Sequence, residues 1–301
     1  MSQEQTFEGV PVLKNHGVQK ELTVFGARTR YWEYGNPQGE PMVLIHGFRG
    51  DHHGLEFIAQ HLQNFKVIVP DLPGFGKSEP LPHIQHSLET FASWLEEFIA
   101  ALQFGQKIRL VGHSFGSIVC SYYAMCRPAT LHTLTLINPI SEPALQGQQR
   151  FMSMLAEFYY GAGATLPSNA GFALLRAPLI TRISSEFMMK NQDHDLRTFI
   201  NFQHDAYFSA FSSRTSLLET YQASIHHTAS EYATAIRVPT LMIVAEKDDL
   251  GTLTTQQDMF EILPCGTLEI IPDVGHLIHY ETPRKAAELI FRFNTAQESA
   301  Q

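Results

Sequence analysis

Apolar and polar positions along this chain follow two alternating patterns: short apolar runs, and longer stretches with apolar residues at helical spacing. Residues 42–45 and 66–70 are short and largely apolar, and residues 107–111 alternate and end in an apolar pair, as strands buried on both faces do. Residues 53–63 and 87–102 place apolar side chains three and four positions apart, as amphipathic helices do. This order predicts an α/β fold with a mostly parallel, doubly wound sheet.

The pattern of strands continues toward both ends of the chain. Residues 21–34 form two alternating runs separated at Gly26, which predicts a hairpin at the edge of the sheet. Apolar runs at residues 131–137, 238–244 and 267–271 predict three further strands. The sheet is therefore expected to extend over most of the chain.

One long segment interrupts the strands. Residues 140–235 have no strand pattern and are rich in Phe, Tyr and Met at helical spacing. We therefore predict a core formed by residues 1–139 and 236–301, with residues 140–235 as an inserted helical cap. Open α/β sheets bind ligands beyond the carboxyl ends of their strands, where such an insertion could cover the site. We expect most of its aromatic residues to pack together and some to face the cleft.

The composition of the chain limits the kinds of molecule that it is expected to bind. The formal net charge of −9 argues against nucleic acid, because that binding depends on neutralising phosphates. No stretch approaches the roughly 20 apolar residues of a membrane span, and the first residues have neither a cationic start nor an apolar run. We expect a cytoplasmic protein that acts on a small molecule. Its oligomeric state is not predicted.

The cysteines and histidines do not predict a metal site. Cys120, Cys126 and Cys265 are an odd number without a CxxC pair, so we expect packed thiols rather than disulfides or a zinc site. Close histidine pairs occur, but without the carboxylate pattern that is typical of metal sites. No cofactor is expected.

A candidate nucleophile lies where a strand is expected to turn directly into a helix. Residues 112–116 read Gly-His-Ser-Phe-Gly, with a buried strand before them and helical spacing after them. Such a turn strains the backbone of its central residue, Ser114, and exposes the hydroxyl. The five residues alone also fit a turn of small residues that only packs.

A serine hydroxyl needs a base to become a nucleophile, and the base needs an acid to orient it. His276 follows the last predicted strand and Asp248 follows the strand before it. We therefore predict a catalytic set of Ser114, Asp248 and His276. Asp249 is an alternative acid, and His279 is an alternative base.

These motifs resemble those of the α/β-hydrolase fold superfamily, of the kind that carries a helical cap, over about residues 20–295. The resemblance rests on His-Gly-Phe at residues 46–48, Asp-Leu-Pro-Gly-Phe-Gly-Lys-Ser at 71–78, the turn at 112–116, the Asp248 turn and the Gly-His pair that ends at His276.

The sequence departs from the family in one place and rules out one other motif. Ala245 replaces a glycine of the family pattern before Asp248, which is a mild departure. A phosphate-binding loop ending in Gly76-Lys77-Ser78 would need a glycine where Asp71 stands, so that interpretation fails.

The resemblance also implies an oxyanion hole formed by the backbone N–H groups of Phe48 and Phe115. Arg49 and His113, which adjoin these residues, are possible substrate-binding residues. Arg49 could meet a substrate carboxylate, although a solvated surface arginine is the simpler interpretation.

The predicted activity is hydrolysis of a carboxylic ester of a small to medium apolar substrate through an acyl-enzyme. An alternative is a carbon–carbon bond hydrolase of meta-cleavage products, although relatives of that kind carry a tryptophan where Leu277 follows the histidine here. A second alternative is a ligand-binding homologue without catalysis, because fold alone does not determine function.

Overall fold

The structure, a computed structural model, describes residues 9–143 and 150–299. The described strands form one eight-stranded sheet whose spatial order, numbered along the chain, is 1-2-4-3-5-6-7-8; the second strand is antiparallel to both of its neighbours, and all other neighbouring strands are parallel. The strands are β1 (Val18–Val24), β2 (Ala27–Gly35), β3 (Pro41–Ile45), β4 (Lys66–Pro70), β5 (Ile108–His113), β6 (Leu131–Ile137), β7 (Thr240–Ala245) and β8 (Gly266–Ile271).

Helices cover both faces of this sheet. Alternate side chains of β3 point to opposite faces, and those on each face are buried in a different apolar cluster. Val43 and Ile45 belong to one apolar cluster with the helices Leu88–Ala101 and Phe115–Cys126, whereas Met42 and Leu44 belong to a second cluster with the helices His52–Ala59 and Pro283–Ser299. The predicted doubly wound α/β architecture is confirmed. The helices of the core are α1 (His52–Ala59), α2 (Leu88–Ala101), α3 (Phe115–Cys126), α10 (Leu253–Glu261), α11 (Ile278–Glu281) and α12 (Pro283–Ser299).

A helical insertion connects β6 to β7. The loop at residues 71–78 holds it against the core: the Gly76 N–H donates to the carbonyl of Ala210 at 2.6 Å, and the Ser212 N–H donates to the carbonyl of Gly74 at 3.0 Å. Residues 144–149 of the predicted cap, and residues 1–8 and 300–301 of the predicted core, lie outside the described residues. The helices of the insertion are α4 (Arg150–Thr165), α5 (Ser168–Leu175), α6 (Pro178–Met188), α7 (His194–Tyr207), α8 (Arg214–His226) and α9 (Ser230–Ala233).

Some of the predicted first and last residues of helices and strands were wrong. Helix α1 ends at Ala59 rather than at residue 63, because the chain turns through short-range bonds such as His61 N–H to the Ile58 carbonyl. Strand β7 begins at Thr240, after Pro239, since proline has no N–H to donate to a neighbouring strand. The predicted edge hairpin and the helix over residues 87–102 are confirmed within two or three residues.

The expectation of packed thiols holds for only one cysteine. Cys120 is buried, but Cys126 and Cys265 are exposed. Cys126 is the last residue of α3, and Cys265 lies in the turn before β8, so neither position faces the core. None of the described helices combines the length and the hydropathy that crossing a bilayer requires.

Candidate active site

Ser114 lies at the tight junction between β5 and α3. Its backbone has φ 54° and ψ −121°, a region that non-glycine residues rarely adopt. A Cβ on Gly116 would lie 2.3 Å from the Ile45 carbonyl oxygen, and one on Gly112 would lie 2.4 Å from the Gly116 carbonyl oxygen. Strand and helix therefore approach so closely that only glycine fits on either side of the serine.

The structure brings the three predicted catalytic residues together. His276 Nε2 lies 2.9 Å from Ser114 Oγ, and His276 Nδ1 lies 2.9 and 3.0 Å from the two carboxylate oxygens of Asp248. His276 and Asp248 are both buried. Asp249, the alternative acid, pairs instead with the ammonium group of Lys190.

Asn138 was not predicted from the sequence, yet it fixes the loop that carries His276. Its side-chain amide donates to the carbonyls of His276 at 2.9 Å and Gly275 at 3.2 Å, while its amide oxygen accepts from the N–H of Ala245 at 2.8 Å. Asn138 is fully buried at the end of β6 and has φ 42°. One side chain thus joins the ends of two strands to the histidine loop.

The loop at residues 46–50 lies against the serine. A Cβ on Gly47 would lie 3.1 Å from Ser114 Cβ. His46 holds the loop in place, because its Nε2 accepts from the Leu72 N–H at 2.9 Å and its Nδ1 lies 2.9 Å from the Gly47 carbonyl oxygen. Phe48, the predicted oxyanion residue of this loop, follows Gly47 directly, and Phe115 is the first residue of α3.

Arg49 is not a solvated surface residue, so the simpler interpretation from the sequence was wrong. It is 3% exposed, because the insertion closes over it. Its guanidinium donates to Tyr160 Oη at 3.2 Å, the Leu175 carbonyl at 3.0 Å and Ser209 Oγ at 2.8 Å. Arg49 therefore ties the loop beside Ser114 to the insertion.

His113 and His279 pack close to His276. His113 Nε2 lies 3.2 Å from the His276 carbonyl oxygen, and its ring centroid is 4.4 Å from that of His279. Burial lowers the pKa of His113 to about 3. Both imidazoles support the wall beside His276, and the hydroxyl of Ser114 contacts His276 rather than His279.

A cavity of about 320 Å³ opens onto Ser114 and His276. Core and insertion both contribute to its wall, which is mainly apolar and aromatic. The insertion residues on this wall include Ala156, Tyr160, Ile183, Phe187, Met188, Phe208, Tyr221 and Ile225. Of the aromatic residues predicted for the insertion, Phe187 and Phe208 face the cleft, whereas Phe158 and Phe202 are mostly exposed to solvent.

One group of possible metal ligands occurs in the described parts of the chain, at the start of α1. Ligand atoms of Asp51, His52 and His53 lie within 4.8 Å of one another. Carboxylates already engage both rings: His52 Nδ1 lies 2.8 Å from Asp71 Oδ1, and His53 Nδ1 lies 3.0 Å from Asp51 Oδ1. Asp51 also accepts from the His53 backbone N–H, so these contacts hold the first turn of the helix.

Comparison with known proteins identifies the family. The family model described as the alpha/beta hydrolase fold matches residues 40–283. The chain belongs to the α/β-hydrolase family. The predicted resemblance is confirmed, and the chain is a hydrolase of this fold.

Two relatives of this α/β hydrolase are lipases. Lipase 1 of Psychrobacter immobilis is 23% identical over 296 residues, which cover 93% of this chain and 85% of the lipase. Lipase 3 of Moraxella sp. strain TA144 is 26% identical over 276 residues, which cover 89% of this chain and 82% of that lipase. A thermophilic esterase from Thermogutta terrifontis with malate bound has a TM-score of 0.74 at 21% identity, covering 93% of this chain and 99% of that one; this likeness shows the fold.

Within this α/β hydrolase, a serine hydroxyl, an imidazole and a buried carboxylate stand in hydrogen-bonded series at the bottom of an apolar cavity. Such a series can transfer a proton from the serine hydroxyl to the imidazole while the carboxylate holds the ring in position. The arrangement therefore has the parts that nucleophilic attack on a carbonyl carbon requires.

Proposed function

We propose that this hydrolase cleaves carboxylic esters of small to medium apolar substrates through an acyl-enzyme formed on Ser114. The observation that carries the proposal is the 2.9 Å contact between Ser114 Oγ and His276 Nε2, with Asp248 behind the ring, on the floor of an apolar cavity. A ligand-binding protein would have no need for this hydrogen-bonded series.

Acylation begins when Ser114 Oγ attacks the ester carbonyl carbon and its proton passes to His276 Nε2. Asp248 accepts a hydrogen bond from Nδ1, which fixes the tautomer and stabilises the imidazolium that forms. The C–O bond of the ester then breaks, and His276 returns the proton to the leaving alcohol. The product is an acyl-serine ester.

Deacylation repeats these steps with water. His276 accepts a proton from a water molecule, the resulting hydroxide attacks the acyl carbon, and the proton returns to Ser114 Oγ as the carboxylic acid leaves. In both tetrahedral intermediates we assign the negative oxygen to the backbone N–H groups of Phe48 and Phe115. Each such donor contributes about 3 kcal/mol to the transition state.

The insertion is proposed to act as a cap that sets the choice of substrate. Its apolar side chains form much of the cavity wall, and the cavity volume of about 320 Å³ suits a small or medium ester. Two relatives bear the name lipase, which supports ester chemistry for this chain. We assign Arg49 to holding this cap against the core and His113 to supporting the wall beside His276.

A panel of p-nitrophenyl esters with acyl chains of increasing length tests the proposal. We expect release of p-nitrophenol with a maximum in kcat/KM at short or medium chains, and none above background from Ser114→Ala. The panel should include a 2-hydroxy-6-oxo-dienoate. If only that compound is cleaved, the carbon–carbon hydrolase alternative is correct, and if the folded protein cleaves nothing, the binding alternative is.

A further inference from the structure

Two imidazoles in the cavity wall have no part in the proposed mechanism. His204 on α7 and His279 on α11 both line the cavity and are 3% and 6% exposed. The Nδ1 atom of each is buried without a hydrogen-bond partner among the described residues. Unpaired polar atoms in a protein interior are uncommon, and they are unfavourable unless a ligand or water completes them. We call these two residues the imidazole pair.

The imidazole pair lies on one wall, next to the reacting groups. The ring centroid of Tyr280 is 4.3 Å from that of His279 and 5.7 Å from that of His204. On its other side, His279 approaches His113, whose ring centroid is 5.2 Å from that of His276. A line of rings therefore leads from the catalytic base to His204 in the insertion. A substrate with its ester carbonyl at Ser114 could extend along this wall.

The surroundings of the imidazole pair favour an uncharged ligand group. Burial, together with the positive charge of Arg182, lowers the pKa of His204 to about 3. Burial and the neighbouring His113, His204 and His276 lower the pKa of His279 well below its usual range. Both rings are thus neutral at physiological pH, and each can donate from one nitrogen and accept at the other.

A carboxylate on the substrate would find no free cation at this wall. Arg49 is the one cationic side chain among the described residues that line the cavity, and its N–H groups already bind Tyr160, Leu175 and Ser209. Burying an anion without a partner is strongly unfavourable, whereas a hydroxyl or ketone oxygen needs only a hydrogen bond. The wall therefore favours a polar, uncharged substrate group over a charged one.

We propose that the imidazole pair is a subsite for a second, uncharged oxygen of the substrate, a hydroxyl or ketone separated from the scissile ester by a short carbon chain. This assignment rests on the proposed ester hydrolysis and narrows its substrate class from plain aliphatic esters to oxygenated ones. His204 and His279 would then be specificity-determining residues.

Binding to the Ser114→Ala protein tests the subsite without requiring hydrolysis. Three methyl esters of similar length serve as probes: methyl hexanoate, methyl 5-oxohexanoate and monomethyl glutarate. We expect the keto ester to bind about tenfold more tightly than the plain ester in NMR titrations, as one or two neutral hydrogen bonds provide. The carboxylate ester should bind most weakly.

Variants at three histidines, each combined with Ser114→Ala, locate the effect. His204→Leu and His279→Leu should each reduce the preference for the keto ester severalfold, toward a ratio of one in the double variant. His132→Leu is the matched control, because His132 Nε2 is also buried without a partner but does not line the cavity. It should keep the full preference.

A second measurement does not depend on whether the leucine variants fold. Imidazole ¹⁵N shifts of His204 and His279 in Ser114→Ala should change on adding the keto ester, while that of His132 should not. The proposal is overturned if the keto ester shows no preference, if the carboxylate ester binds best, or if the two shifts stay unchanged. Because none of these readouts involves turnover, a failure here differs from a failure of the ester panel.

Discussion

The Nε2 atom of His276 lies 2.9 Å from Ser114 Oγ, although 162 residues separate them in the sequence. The contact depends on parallel strands that end at the same edge of the sheet, because Ser114 follows β5 and His276 lies in the loop after β8, two strands further along the sheet than β6. The side-chain amide of Asn138, at the end of β6, donates hydrogen bonds to two backbone carbonyls of the loop that carries His276. The sheet thus sets the distance over which the proton would move.

Replacing Asp248 should slow the reaction far more than replacing its neighbour. Asp248→Asn loses the negative charge that orients and stabilises the imidazolium, so kcat for a p-nitrophenyl ester should fall about a thousandfold or more. Asp249→Asn is the matched control, since Asp249 pairs with Lys190 instead, and it should keep most of the activity. Equal losses in both variants would contradict the assignment of the acid.

The glycine after the nucleophile should tolerate no side chain. A Cβ on Gly116 would lie 2.3 Å from the Ile45 carbonyl oxygen, so Gly116→Ala should lower the free energy of unfolding. The expected loss is about 3 kcal/mol, as for other overpacked sites, and is measured by urea unfolding.

Gly161→Ala provides the contrast for Gly116. Gly161 lies within α4 and has open space around the position of a Cβ. Alanine favours the helix over glycine by about 1 kcal/mol, so this variant should be slightly more stable than the wild type. A similar loss at both glycines would show that close strand–helix contact is not the cause.

Much of the site was predictable because local sequence determines it. The strained turn at Ser114 needs its two glycines, and the strands before Asp248 and His276 are short apolar runs that read clearly. Chain order and strand ends were therefore enough to bring the catalytic residues together. The doubly wound sheet followed from runs such as those of β3 and β7, whose residues are all buried.

Residues that depend on distant segments were not predictable. Arg49 is buried only because Tyr160, Leu175 and Ser209 of the insertion, more than 100 residues away, close over it. Asn138 has no motif around it, and its role depends on two loops that meet there. The imidazole pair likewise combines one residue of the insertion with one of the core.

Arg49→Met should loosen the insertion. The substitution leaves Tyr160, Leu175 and Ser209 without their donor, so the free energy of unfolding should fall by about 3 kcal/mol and KM should rise for every ester. Arg176→Met, at an exposed arginine nearby, is the control and should change little. A rise in KM confined to esters that carry a carboxylate would instead assign Arg49 to substrate binding.

Glu56 should make stability depend on pH. Burial, with a further contribution from the charge of Asp51, raises its pKa to about 7, although the charge of His53 and a hydrogen bond from Tyr34 oppose this. Between pH 4.5 and 7 the folded protein then holds a proton that the unfolded chain has lost. Folding stability therefore decreases as pH rises through this window, by up to about 1.4 kcal/mol per pH unit.

Glu56→Gln removes that titration. The variant should melt at a higher temperature than the wild type at pH 8, where the buried carboxylate is charged. At pH 5, where the carboxyl is protonated, the two melting temperatures should be close. Thermal melts at both pH values measure this difference, and an equal shift at pH 5 and pH 8 would show that Glu56 does not carry the effect.

The role of Ser114 as the nucleophile is tested most directly by mapping the residue that a fluorophosphonate probe modifies covalently. Intact-mass and peptide analysis should show one adduct, on Ser114, that is absent from Ser114→Ala and retained in Ser121→Ala, a control that removes another buried hydroxyl of α3. An adduct on a different residue, or no adduct on the folded wild-type protein, would contradict Ser114 as the nucleophile.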